Sequence, residues 1–77
     1  SNNCNFIFIE NLPNFDDNNS NQQQRFITLI DIIYEKKIPL MITSKVNLDL
    51  IKSSKSLIDP FKRTISRLYE LTSMDYN

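Results

Sequence analysis

Glycine is missing altogether from this 77-residue chain. At an average usage of about 7%, about five would be expected in a chain this long. A phosphate-cradling loop of the form G-x-x-x-x-G-K-[ST] needs backbone N–H groups that no Cβ obstructs, and a dinucleotide-binding turn needs the same. Neither can be built from these residues, so the chain does not cradle nucleotide phosphates in a glycine loop of its own. Histidine is missing too, and Cys4 is the only cysteine. Together these exclude an internal disulfide, Cys–His catalysis, histidine acid–base chemistry and the usual zinc sites. Cys4 reads as an inert thiol beside a strand, at home in a reducing compartment. Nine basic and nine acidic residues cancel, which argues against a protein whose main business is non-specific grip on nucleic acid. No apolar run approaches the ~20 residues of a membrane span, and no signal-peptide pattern opens the chain. Residue 1 is Ser rather than Met, so it need not be the natural start.

What is present suits a small globular piece: 40% hydrophobic and 23% charged residues. The length allows one domain at most, and folding would bury only roughly 60% of the surface that the unfolded chain exposes. Phe6-Ile7-Phe8-Ile9 is a continuous apolar run of aromatic and β-branched residues, the mark of a buried, parallel strand. Glu10-Asn11-Leu12-Pro13 ends it, since Pro cannot keep donating to the ladder. Residues 14–24, rich in Asn, Asp and Gln, read as an exposed loop without a function of their own. From Gln22 to about Lys36 the period becomes helical, with Phe26, Ile27, Leu29, Ile30, Ile33 and Tyr34 forming a broad apolar stripe. Ile38-Pro39-Leu40-Met41-Ile42-Thr43 is a second strand, and strand–helix–strand is a βαβ unit. Val46 to Lys52 predicts a short helix capped by Asn47, and 53–56 a polar linker. Asp59-Pro60 then starts a final helix to about Thr72, which buries Phe61, Ile65, Leu68 and Leu71 or Thr72. The fold class is α/β: a βαβ unit with parallel strands plus a C-terminal helix. Two parallel strands are not self-sufficient, since parallel sheets want both faces covered, so the whole resembles a slab of a larger domain.

Four places could carry chemistry. Glu10 follows an apolar strand, as a Mg²⁺-holding carboxylate does, although acidic residues also follow strands as plain turn residues. Thr43-Ser44 lie at the carboxyl end of a strand, where α/β sheets gather ligands, or else bond the next turn. Arg25 sits near a helix start, electrostatically out of place unless an anion is near. In the last helix Arg63, Arg67 and Glu70 fall at i, i+4 and i+7 on one face. Their ordinary reading is two surface pairs, Arg67 with Glu70 and Arg63 with Asp59, each worth under about 1 kcal/mol. Their functional reading is a guanidinium offered to nucleotide phosphates.

The stretch Gln24-Arg25-Phe26-Ile27-Thr28-Leu29-Ile30-Asp31-Ile32-Ile33-Tyr34-Glu35 resembles the arginine-Phe-Ile-x-Leu-Ile-Asp-x-x-Tyr-acidic run of ZapE-type, or AFG-one-like, ATPases of the AAA+ class. The ending from Phe61 to Tyr76, with Arg63-Thr64-Ile65-Ser66-Arg67-Leu68-Tyr69-Glu70-Leu71, is similar to that family's Arg-Thr-x-Ser-Arg-Leu-x-Glu-Met signature, with Leu71 where Met is usual. Phe6 to Pro13 is similar to its strand ending in Asn-Val-Pro or Ile-Pro, which precedes the arginine helix. These matches run in the family's order over nearly all of the chain. The resemblance implies a single partial domain over 1–77, the C-terminal portion of an ATPase whose Walker A and Walker B elements lie outside this chain. Glu10 is then not the Walker B acid. ATP and Mg²⁺ would belong to the full-length protein, and this chain alone would not hydrolyse ATP. Arg63 and Arg67, and more distantly Arg25, would be sensor-like or finger-like residues toward the phosphates. The implied partners are the missing N-terminal ATPase segment and a homo-oligomer or a division or membrane protein; the implied setting is the cytoplasm, or the mitochondrial matrix in a eukaryote. Two rivals remain open: a free-standing interaction module that uses its sheet edge, and a nucleic-acid binder that uses Arg25, Lys36, Lys37, Arg63 and Arg67.

Overall fold

Both apolar runs become strands, and they pair in parallel. In a computed structural model that describes residues 6–73, β1 (Ile7–Leu12), α1 (Ser20–Glu35), β2 (Leu40–Ser44) and α2 (Ile58–Thr72) follow one another. Single 3₁₀ turns lie at Asp17–Asn19, Leu48–Leu50 and Lys55–Leu57. Cys4 lies outside the described residues. The strand register places Ile7 beside Leu40, Phe8 beside Met41 and Ile9 beside Ile42, and then slips before Leu12 meets Ser44. Two residues of β1, Glu10 and Asn11, thus stand against Thr43 alone. Asn11 turns to φ 59° there, and its N–H, which has lost the ladder, donates to Thr43 Oγ1 at 2.8 Å. Asn is the residue other than glycine that best tolerates this conformation.

The register sets which side chains share a face. Ile7, Ile9, Leu40 and Ile42 face the helices and pack with the core. Phe8 and Met41 face the other way, 52% and 46% exposed, and Phe6 is exposed with them. Among the described residues nothing covers the second face, so the strands read as buried are covered on one side only, as in a slab of a larger domain. Along β2, residues Leu40 to Ser44 also line an open groove of about 870 Å³, to which Tyr69 and Thr72 of α2 contribute.

The core lies between one face of the sheet and the two helices. It contains Ile27, Ile30 and Ile33 of α1, Leu40 of β2, and Phe61, Leu68 and Leu71 of α2, joined by Leu12, Phe15 and Ile51. The buried stripe of α1 is narrower than its composition suggests. Leu29 and Ile32 are exposed, whereas Gln23, one turn before Ile27, is fully buried. In α2, Thr64 rather than Ile65 takes the innermost position, its hydroxyl donating to Pro60 O at 3.1 Å.

The segment read as idle loop is instead tied down. Asp16 caps its turn: Oδ1 accepts from Asn18 N–H at 2.8 Å, while Asp16 N–H donates to Asn19 Oδ1 at 2.6 Å. Phe15 is buried, its ring 5.6 Å from that of Phe61 and 5.9 Å from that of Phe26. Asn14 Oδ1 accepts from Lys52 N–H, Phe15 N–H donates to Lys52 O, and Asp17 Oδ1 accepts from Lys55 N–H. Those bonds also explain why the helix expected over 46–52 is only one turn at Leu48–Leu50. Ile51 must turn extended, at ψ 126°, to bring Lys52 beside Asn14 and Phe15. Asn47 makes no side-chain cap there. Nor does Asp59 cap α2, which runs on from the turn at Lys55–Leu57 and begins at Ile58, one residue before it. Pro60 is the third residue of α2, still among the first four N–H positions that lack an intrahelical acceptor.

Candidate functional site at the α1–α2 face

The expected Arg63/Arg67/Glu70 face exists, and it meets α1 rather than bare solvent. Asp31 of α1 stands opposite it. Arg67 Nη1 forms a hydrogen-bonded ion pair with Asp31 Oδ1, and Arg63 Nη2 lies 3.9 Å from Asp31 Oδ2. One carboxylate therefore takes a guanidinium at each oxygen, which relieves the repulsion between two cations one turn apart. The expected pairs within α2 are not formed. Glu70 instead accepts from the Tyr34 hydroxyl, at 3.1 Å to Oε1 and 3.2 Å to Oε2. Cross-helix partners win because Asp31 and Tyr34 are fixed by packing, whereas an i, i+3 or i, i+4 surface pair must order two long side chains for little gain.

Tyr34 is the hub. The Arg67 guanidinium carbon lies 4.6 Å from its ring centroid and the Lys37 ammonium 4.8 Å, both within cation–π range. The hydrogen bond to Glu70 raises the Tyr34 phenol above its ordinary value, with the Glu70 charge and some desolvation adding and Arg67 opposing. On the far side of α2, desolvation raises Tyr69; the charge and side-chain hydrogen bond of Asp49 add to it, and the Asp49 backbone opposes. Asp31, Tyr34, Glu35, Lys37, Arg63 and Arg67 line a recess of about 530 Å³. Three cations against two carboxylates leave it one positive charge in excess. Such a recess suits an anion with several oxygens, since guanidinium forks match phosphate geometry.

The other sequence candidates do not join it. Arg25 is the sixth residue of α1, past its N-terminus, exposed, and without an ion-pair partner among the described residues. Six residues before Asp31, it lies on another side of the helix. Glu10 is exposed at the strand slip. Thr43 Oγ1 accepts from Asn11 N–H and Ser44 Oγ donates to Val46 O, and neither residue lines the recess. Among the described residues no cluster of His, Cys, Asp or Glu could hold a metal ion. The three cations of the recess are of the kind that can flank a polyphosphate. Missed in the sequence were Asp31 and Tyr34, and Lys37 figures there only among the cations of the nucleic-acid reading. Asp31 and Tyr34 stood within the family-like run at i and i+3, on the side of α1 that must face α2.

Comparison with known proteins agrees with this architecture. The sequence profile of the AFG1-like ATPase family matches residues 1–77. The chain belongs to the AFG1-like ATPase family. Two curated relatives, the cell division protein ZapE of Escherichia coli strain K12 and that of Escherichia coli O157:H7, are each 36% identical over 55 residues, 71% of this chain. Those 55 residues are 15% of each relative, so the chain spans only a small part of their length. No solved structure gives a significant match. The α/β unit of two parallel strands and two helices is consistent with a fragment of such an ATPase domain. No helix among the described residues is long and apolar enough to cross a membrane.

Proposed function

We propose that this segment is the C-terminal part of a ZapE-like AAA+ ATPase, which completes a nucleotide site whose glycine loop and Mg²⁺-holding acid come from a preceding segment. The observation that carries this is the convergence of Arg63 and Arg67 on Asp31 at the rim of a recess with excess positive charge. ATP, when bound in the complete protein, supplies the β,γ-anhydride bond to be cleaved. The residues of this chain contribute positive charge beside the phosphates, held ready by Asp31 and Tyr34, and no group that attacks or takes a proton. Arg25 is the weaker candidate, since it stands outside the recess.

The preceding segment docks on the open side of the sheet. Phe6, Phe8 and Met41 offer it an apolar face, and the groove along β2 offers a strand edge. A division-linked role in the cytoplasm, or a matrix role in a eukaryote, and a homo-oligomer or a division or membrane protein as partner, belong to the same proposal. They rest on the likeness to ZapE and on the family. Nucleic acid is not among the proposed partners, because nine basic and nine acidic residues leave the chain no net charge with which to grip it.

The test is a graft in which this chain replaces the matched stretch of Escherichia coli ZapE. The graft should hydrolyse ATP, and Arg63→Ala with Arg67→Ala should slow it by roughly a hundredfold, the scale of losing charge stabilisation at a reacting phosphate. The 77-residue chain alone should show no micromolar ATP binding by calorimetry. Tight binding by the chain alone, or a double variant that keeps the parental rate, would overturn the proposal.

A further inference from the structure

We infer that the two arginines of α2 have different jobs: Arg63 meets the phosphate, while Arg67 is a positioning residue locked inside the protein. This rests on the reading that the face looks toward nucleotide phosphates, and it adds which residue does the contact. The two side chains are not equivalent. Arg67 is 26% exposed, hydrogen-bonded to Asp31 Oδ1, and lies against the Tyr34 ring. Tyr34 is itself held by Glu70. For Arg67 to turn toward a ligand it would give up a charge-assisted bond and a ring contact together, and would strand a half-covered carboxylate. Arg63 is 56% exposed and only at the outer limit of ion-pair distance from Asp31 Oδ2. An exposed, loose pair of that kind gives way at little cost.

The arrangement also explains why both arginines are needed. Arg67 engages one oxygen of Asp31 and so fixes the direction of the other, which faces Arg63. Asp31 and Arg67 together set the resting place of the Arg63 guanidinium. The charge of Arg67 is largely cancelled in that contact, so the excess of the recess is what Arg63 and Lys37 carry against Glu35. The ligand class is a polyphosphate that presents two adjacent oxygens to one planar fork.

Side-chain NMR of the arginine Nε–H groups in the 77-residue chain separates the roles, with millimolar tripolyphosphate as the probe. If the chain self-associates, Phe8→Lys with Met41→Lys, on the open face of the sheet, supplies a second form for the same measurement. The Arg63 signal should shift on titration while that of Arg67 stays in place, and in Asp31→Asn both should shift. Tyr34→Phe, which keeps the ring, should leave the Arg67 signal where it was. Equal movement of both signals in the parent chain would overturn the division of labour and leave the phosphate-facing reading intact. If neither signal moves, both readings fall together.

Discussion

Tyr34 is the residue on which the site turns, and its phenol gives the cleanest handle. Its proton is held by Glu70, so its folded pKa lies above the ordinary value of 10.0. A group raised in this way favours the folded state fully below pH 10, and that contribution is lost as pH rises through the folded value. The denaturation midpoint should therefore fall more steeply at alkaline pH in the parent chain than in Tyr34→Phe, and coincident profiles would remove Glu70 from its role. Gln23 makes a second case. It is fully buried, its Oε1 accepts from Ser54 N–H at 3.0 Å, and its Nε2 donates to Ser53 Oγ at 2.7 Å. Gln23→Leu should cost about 1–3 kcal/mol in chemical denaturation, because the Ser54 N–H is left buried without a partner. The Ser54 hydroxyl is itself buried without a hydrogen-bond partner among the described residues.

At the scale of elements, the absent glycine leaves its mark at the end of α1. Ile38 N–H donates to Ile33 O and Lys37 N–H to Tyr34 O, the paired bonds of a Schellman stop. That stop needs a left-handed residue, and Lys37 fills it at φ 57°. Lys37→Gly should stabilise the chain by about 1 kcal/mol, the scale of the left-handed penalty for a residue with a Cβ. The lost Lys37 contact with Tyr34 offsets part of this gain, and the melting temperature measures the net. The elements themselves were legible in the sequence. Two apolar runs around a helical period gave the βαβ unit, and the spacing of Arg63, Arg67 and Glu70 gave their shared face. Their partner was not legible, because Asp31 lies 36 residues before Arg67 and only the packing of α1 on α2 brings them together. The stretch around Asp16 was misread for a related reason. Its Asn and Asp side chains look like loop composition, yet Asn14 and Asp17 serve backbone donors 38 residues away.

For the whole molecule, the sheet is the unfinished part. A two-stranded parallel sheet with Phe8 and Met41 in water is short of cover on one face. The chain by itself should self-associate, and Phe8→Lys with Met41→Lys should shift it toward monomer in sedimentation analysis. A monodisperse, cooperatively melting parent chain would favour the rival reading, a self-standing interaction module. The nucleic-acid rival predicts binding that weakens steeply with salt, and salt-independent, weak binding would dismiss it.

The slip between β1 and β2 has a consequence beyond local geometry. By pinning Asn11 to Thr43 at one level only, it favours a single alignment of the strands, since sliding would break that bond and turn the core-facing side chains away from the helices. Whatever comes to rest against the bare side of the sheet thus finds the same pattern of knobs each time. Assembly of the larger protein can then rely on a template already cut to shape before the two parts meet.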